Sequence, residues 1–494
     1  MSDQSQIKTS VIAGFFWKAM ESGGDQLITF FISIILARLL GPEKYGTMAI
    51  MLIFIAIAQV IITNGFQTAL IQKKEVTDED VSSVFWVGLI ISAVLYFTIF
   101  AAAPAIADFF GDPDIVLMLR VLSLILFSGS IVSVEIAIIA RQMNFRLQCI
   151  GTILADLISG ALGILAAFKG LGTWALVLQQ LVKNICLMSF LLWRLHWRPA
   201  RVLSGKSISS LFSYGWKVLA SGLIDTIYTN LYTPFISRLY NATMVGYYNR
   251  ANQFPQVIVN SMAQTLQAVM LPAFSKTQDE QVRGRQMLRR TIKMSGFLMF
   301  PAMFGIAAVA EAMVRILLGE AWLPAVPLLR LCALSFSVWH MHVANLQAIN
   351  ANGRSDIYLK LEIIKKIAGF AVLLGSVRFG VTGMILMKAV WDYICTLING
   401  WPNRSILHYG PAAQWKDTMP EFLAAAAMGL AVYALQLVLS GTGVISLSTA
   451  GQALVMIVIQ IAAGVLIYLG AAVIFRMESL RYLIETAKLY LHRQ

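Results

Sequence analysis

The sequence predicts an all-α polytopic membrane protein with about fourteen transmembrane helices, built as two pseudo-two-fold-related six-helix lobes plus two extra C-terminal helices. Three observations predict it. Of 494 residues, 58% are hydrophobic and 13% charged, with a mean hydropathy of +0.73. A soluble chain carries about 25% charged residues, so polar surface is too scarce here to cover a soluble fold of this length. The apolar residues gather into blocks of about 20 or more, the length that crosses a bilayer. The chain also resembles itself at an offset of about 200–210 residues. Composition excludes a cytosolic enzyme, a secreted disulfide protein and a nucleic-acid-binding domain. Cys149, Cys186, Cys332 and Cys395 sit singly in apolar stretches, without the spacing of a metal or redox site.

The spans fall at residues 11–40, 46–71, 84–107, 115–140, 148–169, 173–194, 211–238, 246–272, 291–317, 325–350, 358–377, 381–403, 420–440 and 450–475. The first is read as a membrane helix and not as a cleavable signal, because Lys18, Glu21 and Asp25 interrupt it and residues 1–10 are polar. Spans 7 and 8 are the most polar. The two longest polar connections are 195–210 and 274–290. Pro234, Pro255, Pro272 and Pro301 are expected to interrupt or bend spans of the second half.

Charge sets the orientation. Loops on the side of the N-terminus hold Lys73, Lys74, Arg141, Arg146, Arg198, Arg201, Lys206, Lys276, Arg283, Arg285, Arg289, Arg290, Arg354, Arg404 and Lys416. The tail adds Arg476, Arg481, Lys488 and Arg493. The opposite loops are poor in Lys and Arg: 104–114 carries Asp108, Asp112 and Asp114 instead, and 440–449 carries no charge. By the positive-inside rule both termini are cytoplasmic, which an even number of spans satisfies. The net charge of +13 is therefore a topology signal, and nucleic acid is not an expected partner.

The repeat sets the lobes. Trp17-Lys18, Ser22-Gly23 and Asp25 match Trp216-Lys217, Ser221-Gly222 and Asp225. Arg38-Leu39 and Gly46 match Arg238-Leu239 and Gly246, while Lys169, Thr173 and Cys186 match Arg378, Thr382 and Cys395. This divides the chain into 1–200, 201–410 and 411–494, the last holding helices 13–14 and a cytoplasmic tail. Each lobe has six spans, so both enter the membrane in the same direction. Transporters built this way hold substrate near the midplane between their halves.

Five runs carry a resemblance to a known family: Leu36-Ala-Arg-Leu-Leu-Gly-Pro-Glu-Lys-Tyr-Gly46, Ala69-Leu-Ile-Gln-Lys-Lys74, Gly246-Tyr-Tyr-Asn-Arg-Ala251, Leu271-Pro-Ala-Phe-Ser275 and Leu318-Gly-Glu-Ala-Trp322. They resemble bacterial polysaccharide flippases, in the branch that exports colanic-acid-like and teichuronic-acid-like polymers. That branch belongs to the multidrug/oligosaccharidyl-lipid/polysaccharide (MOP) exporter superfamily. The resemblance covers nearly the whole chain. It implies a flippase for undecaprenyl-pyrophosphate-linked oligosaccharide units, moving them outward by alternating access of two lobes around a central cavity. It also implies a bacterial inner-membrane location, and polysaccharide polymerase and export proteins as partners.

On the first span Lys18, Glu21, Ser22 and Asp25 share one face; on the seventh Lys217, Ser221, Asp225 and Thr229 do. A charge at bilayer depth costs about 2.5–3.5 kcal/mol on insertion scales, so such residues face a cavity or a partner. A pyrophosphate head group needs cations, and Lys18, Lys217 and Arg250 are the candidates. The bland alternative is internal pairing, Lys18 with Glu21 or Asp25 and Lys217 with Asp225. Asp25 and Asp225 are also the candidates for a coupling H⁺ or Na⁺; no other cofactor and no metal is expected. On the eighth span Asn249, Gln253, Gln256, Asn260, Gln264 and Gln267 form a polar stripe, read as cavity lining, with interhelical hydrogen bonding as the alternative. Glu135, Asp156, Lys183, Lys388 and Asp392 are weaker candidates, and His340 and His342 are read as packing residues. Residues 200–207 end in Gly-Lys-Ser but lack the first glycine of a phosphate-binding loop, and no catalytic site is found. A cation-coupled multidrug antiporter of the same superfamily is the second reading. A membrane-bound glycosyltransferase is the third, disfavoured because no loop is long enough to form a catalytic domain.

Overall fold

Every one of the fourteen expected spans coincides with helix. The computed structural model describes residues 2–275, 280–443 and 449–491, and among these there is no strand. Residues 276–279 and 444–448, inside two of the expected loops, lie outside the described residues, as does Arg493. Spans 1 and 2 are continuous in hydrogen bonding as α1 (Ser2–Thr63), but Gly41 breaks the helix with φ 76° and ψ 174°. Only glycine takes that conformation without strain, and Pro42 then starts the second segment, where its missing N–H costs no bond. A short α2 (Phe66–Gln72) finishes span 2.

The next helix, α3 (Asp78–Phe110), has a capping box. Thr77 Oγ1 accepts from the Asp80 N–H at 3.2 Å, and Asp80 Oδ2 accepts from the Thr77 N–H at 3.0 Å. Then come α4 (Ile115–Leu122), α5 (Ile125–Gln142), α6 (Phe145–Phe168), α7 (Thr173–Leu195), α8 (Gly205–Asn230), α9 (Tyr232–Leu239) and α10 (Ala242–Ser275). The connection between α7 and α8 is stitched to α3. Trp86 Nε1 donates to Ala200 O at 2.8 Å, while Ser82 and Ser83 hydroxyls accept the N–H groups of Ala200 and Ser204 at 3.0 Å each.

The chain continues through α11 (Gln281–Leu317), a 3₁₀ segment (Glu320–Ala325), α12 (Val326–Phe336), α13 (Trp339–Ala351), α14 (Ser355–Ser376), α15 (Gly380–Gly400), α16 (Asn403–Ile406), α17 (Pro411–Gly441), α18 (Ala450–Ile474) and α19 (Glu478–Leu491). Pro255 and Pro301 do not interrupt their spans, since α10 and α11 run through them. The expected break near Pro234 occurs at Leu231, between α8 and α9. The C-terminal tail, expected only as a basic stretch, contains helix α19.

Among the described residues, ten helical stretches are long and apolar enough to cross a membrane. Two of them, Phe16–Gln72 and Ser355–Ile406, each contain two expected spans. The pair that apolarity alone does not qualify is spans 7 and 8, the most polar of the fourteen. The protein is thus an all-α, multi-pass membrane protein.

The residues pack as two compact units, Met1–Gly246 and Tyr247–Gln494. In the first, α6 packs on α1 and α7, and α8 packs on α1 and α2. In the second, α11 is the hub, flanked by α12, α17 and α18. Helices α17 and α18, which lie outside the repeat, join α11 through Phe297, Phe300, Ala425, Met428, Val432 and Tyr468. Lipid is as apolar as these side chains, so close packing and hydrogen bonds supply the attraction. Tyr468 accordingly donates to Phe297 O at 3.0 Å, and Gln436 bridges Glu311 at 3.0 Å and Gln460 at 3.1 Å.

Inside the first unit the repeat appears as a crossing. A Cβ on Gly46 would lie 1.6 Å from Ala242 O, and one on Gly246 would lie 2.0 Å from Pro42 O. The two contacts are the same contact read from either copy of the repeat, since Pro42 corresponds to Ala242 and Gly46 to Gly246. Glycine is required on both sides because two backbones touch there.

Candidate functional site

The polar face of the first span is a charge network that joins three helices. Lys18 Nζ donates to Glu21 Oε2 at 2.8 Å, and Gln148 Nε2 of α6 donates to Glu21 Oε1 at 2.9 Å. Deeper in the bundle, Lys183 Nζ of α7 lies 2.7 Å from Asp25 Oδ1 and 2.5 Å from Asp156 Oδ1 of α6. Asp156 is buried and Asp25 half-buried. The partner of Asp25 is therefore Lys183; among the described residues Lys18 pairs with Glu21. Lys183 and Asp156 were legible only as isolated charges on their own helices, with no signal that one ammonium bridges two carboxylates.

Across these residues stand two cations and three carboxylates. The arrangement can hold α1, α6 and α7 in register. It does not present surplus positive charge to an anionic head group, which weakens Lys18 as a pyrophosphate ligand.

The face on α8 is different. Lys217, Ser221, Asp225 and Thr229 are all exposed. Lys217 makes no ion pair among the described residues, so the alternative of a Lys217–Asp225 pair is not met. The pair fails on geometry: eight residues along a helix is about 12 Å of rise. Thr229 Oγ1 donates back to Asp225 O at 2.8 Å.

On α10, Arg250 is buried and its Nη1 donates to Gln253 Oε1 at 2.5 Å. Asn252 Nδ2 donates to Gln256 Oε1 at 3.2 Å. Asn249, Gln253, Gln256 and Asn260 are half-buried, while Gln264 and Gln267 are exposed. These two bonds run along the helix, not across to a neighbour. The stripe thus grades from a buried arginine end to an exposed amide end.

The remaining candidates have structural partners. Lys388 Nζ donates to Asp392 Oδ2 at 2.9 Å and Ser335 Oγ at 3.0 Å, and Ser335 also bonds Asp392. His340 and His342 are buried, bonded to Ser337 O at 3.0 Å and Asn399 Nδ2 at 3.0 Å respectively, with edge-on ring contacts to Phe300 and Trp339. They are packing residues, as expected. Glu135 is buried on α5, with neither carboxylate oxygen bonded among the described residues.

Sequence reasoning did not foresee a cavity of about 650 Å³ in the first unit, lined by Glu43, Lys44, Asp108, Asp112, Arg238 and Asn241. Thr47 Oγ1 donates to Asp112 Oδ2 at 3.1 Å, and the Arg238 guanidinium sits 5.4 Å from the Phe109 ring centre. The available signal was the acidic 104–114 loop together with the repeat match that singles out Arg38 and Arg238.

Helical lobes of repeated sequence, with polar and charged residues inside their apolar spans, fit a membrane transport fold. Solved structures share it. The lipid II flippase MurJ in an inward closed conformation superposes with a TM-score of 0.75, covering 94% of this chain and 99% of that one at 15% identity. An inward-facing multidrug resistance MATE family transporter of the MOP superfamily gives 0.60, covering 79% and 96% at 15% identity. Residues 35–327 match the family described as polysaccharide biosynthesis protein, and the chain belongs to that family. Among its relatives, the teichuronic acid biosynthesis protein TuaB of Bacillus subtilis is 26% identical over 83% of this chain and 84% of its own length. The succinoglycan biosynthesis transport protein ExoT of Rhizobium meliloti is 26% identical over 76% and 75%. The lipopolysaccharide biosynthesis protein WzxC of Escherichia coli is 23% identical over 80% of each chain.

Proposed function

We propose that the protein is a flippase, not an enzyme. It moves undecaprenyl-pyrophosphate-linked oligosaccharide units from the cytoplasmic to the outer leaflet of the bacterial inner membrane. Movement is by alternating access of two lobes, 1–200 and 201–410, around a central cavity, with 411–494 as an appended helix pair. Both termini are cytoplasmic, which the Lys and Arg distribution supports. The units supply exopolysaccharide or lipopolysaccharide synthesis, with a polymerase and export proteins downstream.

The observation that carries this reading is the exposed face of α8, in a chain whose relatives are named for polysaccharide biosynthesis and transport. Lys217 has no compensating carboxylate among the described residues, so its charge is available to a pyrophosphate. Arg250 is the second cation, and the amides from Asn249 to Gln267 suit sugar hydroxyls. Lys18 is the weakest of the three, being neutralised by Glu21. Asp25 and Asp225 are the candidates for a coupling H⁺ or Na⁺, and Asp25 is bound by Lys183.

The test is the leaflet distribution of undecaprenyl-linked oligosaccharides in cells lacking the protein. Accumulation on the cytoplasmic leaflet with loss of one surface polysaccharide is expected, and it identifies the sugar. Unchanged intermediates in a strain without a redundant flippase overturn the reading in favour of cation-coupled efflux.

A further inference from the structure

Between the loop-side end of α11 and helix α19 lies a cavity of about 280 Å³ that the transport reading does not use. It is lined by Arg289, Arg290, Lys293, Glu478 and Tyr482. Glu478 is the bridging anion: its Oε2 lies 2.9 Å from Lys293 Nζ and 3.1 Å from Arg289 Nη2. Arg289 is also bound to Asp417 at 2.9 Å. Arg290 has no carboxylate partner among the described residues; its guanidinium lies 3.3 Å from the Tyr482 ring centre. Two cations thus converge on one exposed carboxylate, and a third, Arg290, lines the same cavity without a carboxylate partner among the described residues.

The chain on either side of Glu478 and Tyr482 carries exposed apolar residues. Val473, Ile474 and Phe475, at the end of α18, are exposed, as are Leu483 and Ile484 on α19. Arg481, Glu485 and Lys488, all exposed, form a charged side of α19 that flanks the apolar one. A helix with one apolar and one charged side, following a membrane span, lies in the interface between headgroups and acyl chains. By that rule the cavity, which α19 lines through Glu478 and Tyr482, opens at headgroup depth.

We propose that this cavity binds the phosphate of an anionic bilayer phospholipid, with Arg290 as its principal ligand. The acyl chains lie against Ile474 and Phe475. Glu478 occupies the position a second phosphate oxygen would take between Arg289 and Lys293, so it competes with the lipid for those two cations. The occupant is a lipid and not free phosphate because the exposed apolar Ile474 and Phe475 precede Glu478 by only four and three residues.

Purified full-length protein is tested by native mass spectrometry, with phosphatidylglycerol, phosphatidylcholine and inorganic phosphate as probes. Phosphatidylglycerol is expected to be retained preferentially. A basic residue at an anionic surface contributes about a fivefold factor, so Arg290→Ala lowers retention about fivefold and Arg290→Glu about twenty-five-fold. Glu478→Gln raises it about fivefold, a change opposite in sign that damaged folding does not produce. Equal retention of the two lipids overturns the proposal, as does indifference to both Arg290 variants. Displacement of phosphatidylglycerol by millimolar inorganic phosphate overturns the lipid as occupant. Lipid retention is read without transport, so this result and the flippase test fail independently.

Discussion

The first and seventh spans carry the same sequence pattern and meet opposite fates. In the first, Lys18, Glu21 and Asp25 are absorbed into a network with Gln148, Asp156 and Lys183. In the seventh, Lys217, Ser221 and Asp225 stay exposed, with Lys217 unpaired among the described residues. The difference teaches that a repeat conserves where a polar residue sits on its own helix but not what faces it. Helices α6 and α7 bring charges to the first span. Around α8, the neighbours α1 and α2 bring Asn64 and backbone instead. One face is suited to holding helices together and the other to meeting a ligand.

The sharpest way to break this contrast is at Lys183. Lys183→Met leaves Asp25 and Asp156 in the bundle without their cation. Removing one partner of a buried ion pair costs about 3–5 kcal/mol, so a large drop in melting temperature and folded yield is expected. Asp156→Asn is the milder change, because it leaves a one-to-one pair between Lys183 and Asp25. If Lys183→Met melts like the wild type, the first-half network is not structural and the two faces are more alike than the contacts indicate.

The crossing of 42–46 with 242–246 is the place where the two copies are treated alike. Gly46→Ala and Gly246→Ala each drive a methyl into a backbone carbonyl. Overpacking of this kind costs about 1–3 kcal/mol, and more where backbone cannot yield. The two variants are expected to destabilise by similar amounts, measured by thermal unfolding in detergent. Unequal losses show that the repeat is symmetric in sequence only.

How much of this was legible follows from what a single chain encodes. Helix positions were legible because apolar blocks and the glycine–proline break at Gly41-Pro42 are local signals. The orientation of faces on α1, α8 and α10 was legible from helical spacing. Pairing was not. Asp25 lies 158 residues from Lys183, and nothing in either helix names the other. The alternative of a Lys217–Asp225 pair fails on reach: both residues lie on roughly one face, but helical rise separates them beyond contact. Helix α19 was missed because its Arg481 and Lys488 were read as topology charges, although Leu480, Leu483 and Ile484 at i, i+3 and i+4 mark an apolar side.

The ligand-facing half of the comparison is sharpened by Lys217→Ala. Stability is expected to change by no more than about 0.5 kcal/mol, as for other exposed positions. Export should fall by about tenfold or more, since a hydrogen bond to a charged group contributes about 1.5–3 kcal/mol. Lys18→Ala is expected to show the reverse balance, with a modest loss of stability from unpairing Glu21 and a smaller loss of export. Export is measured as surface polysaccharide at matched protein level. If both lysines behave identically, the pairing of Lys18 has no functional meaning and the repeat-related pair acts as one site.

The smallest effect expected is at Glu478, where a charge cluster lies outside the spans. The Lys293 ammonium bonded to this carboxyl, with Arg289 beside it, holds it below its ordinary value of 4.5. A lowered carboxylate contributes stability that is fully present above the ordinary value and is lost as pH falls through the lowered one. Glu478→Gln is therefore expected to cost a constant amount near neutral pH, about 0.2–1 kcal/mol because the side chain is mostly exposed. The gap from wild type should close in acid, below 4.5, where Glu478 itself takes up a proton. Thermal unfolding of both proteins between neutral pH and that range reads the difference directly. A gap that persists in acid assigns the loss to packing of α19 on α11, and the contrast between paired and ligand-facing charge then ends at the membrane boundary.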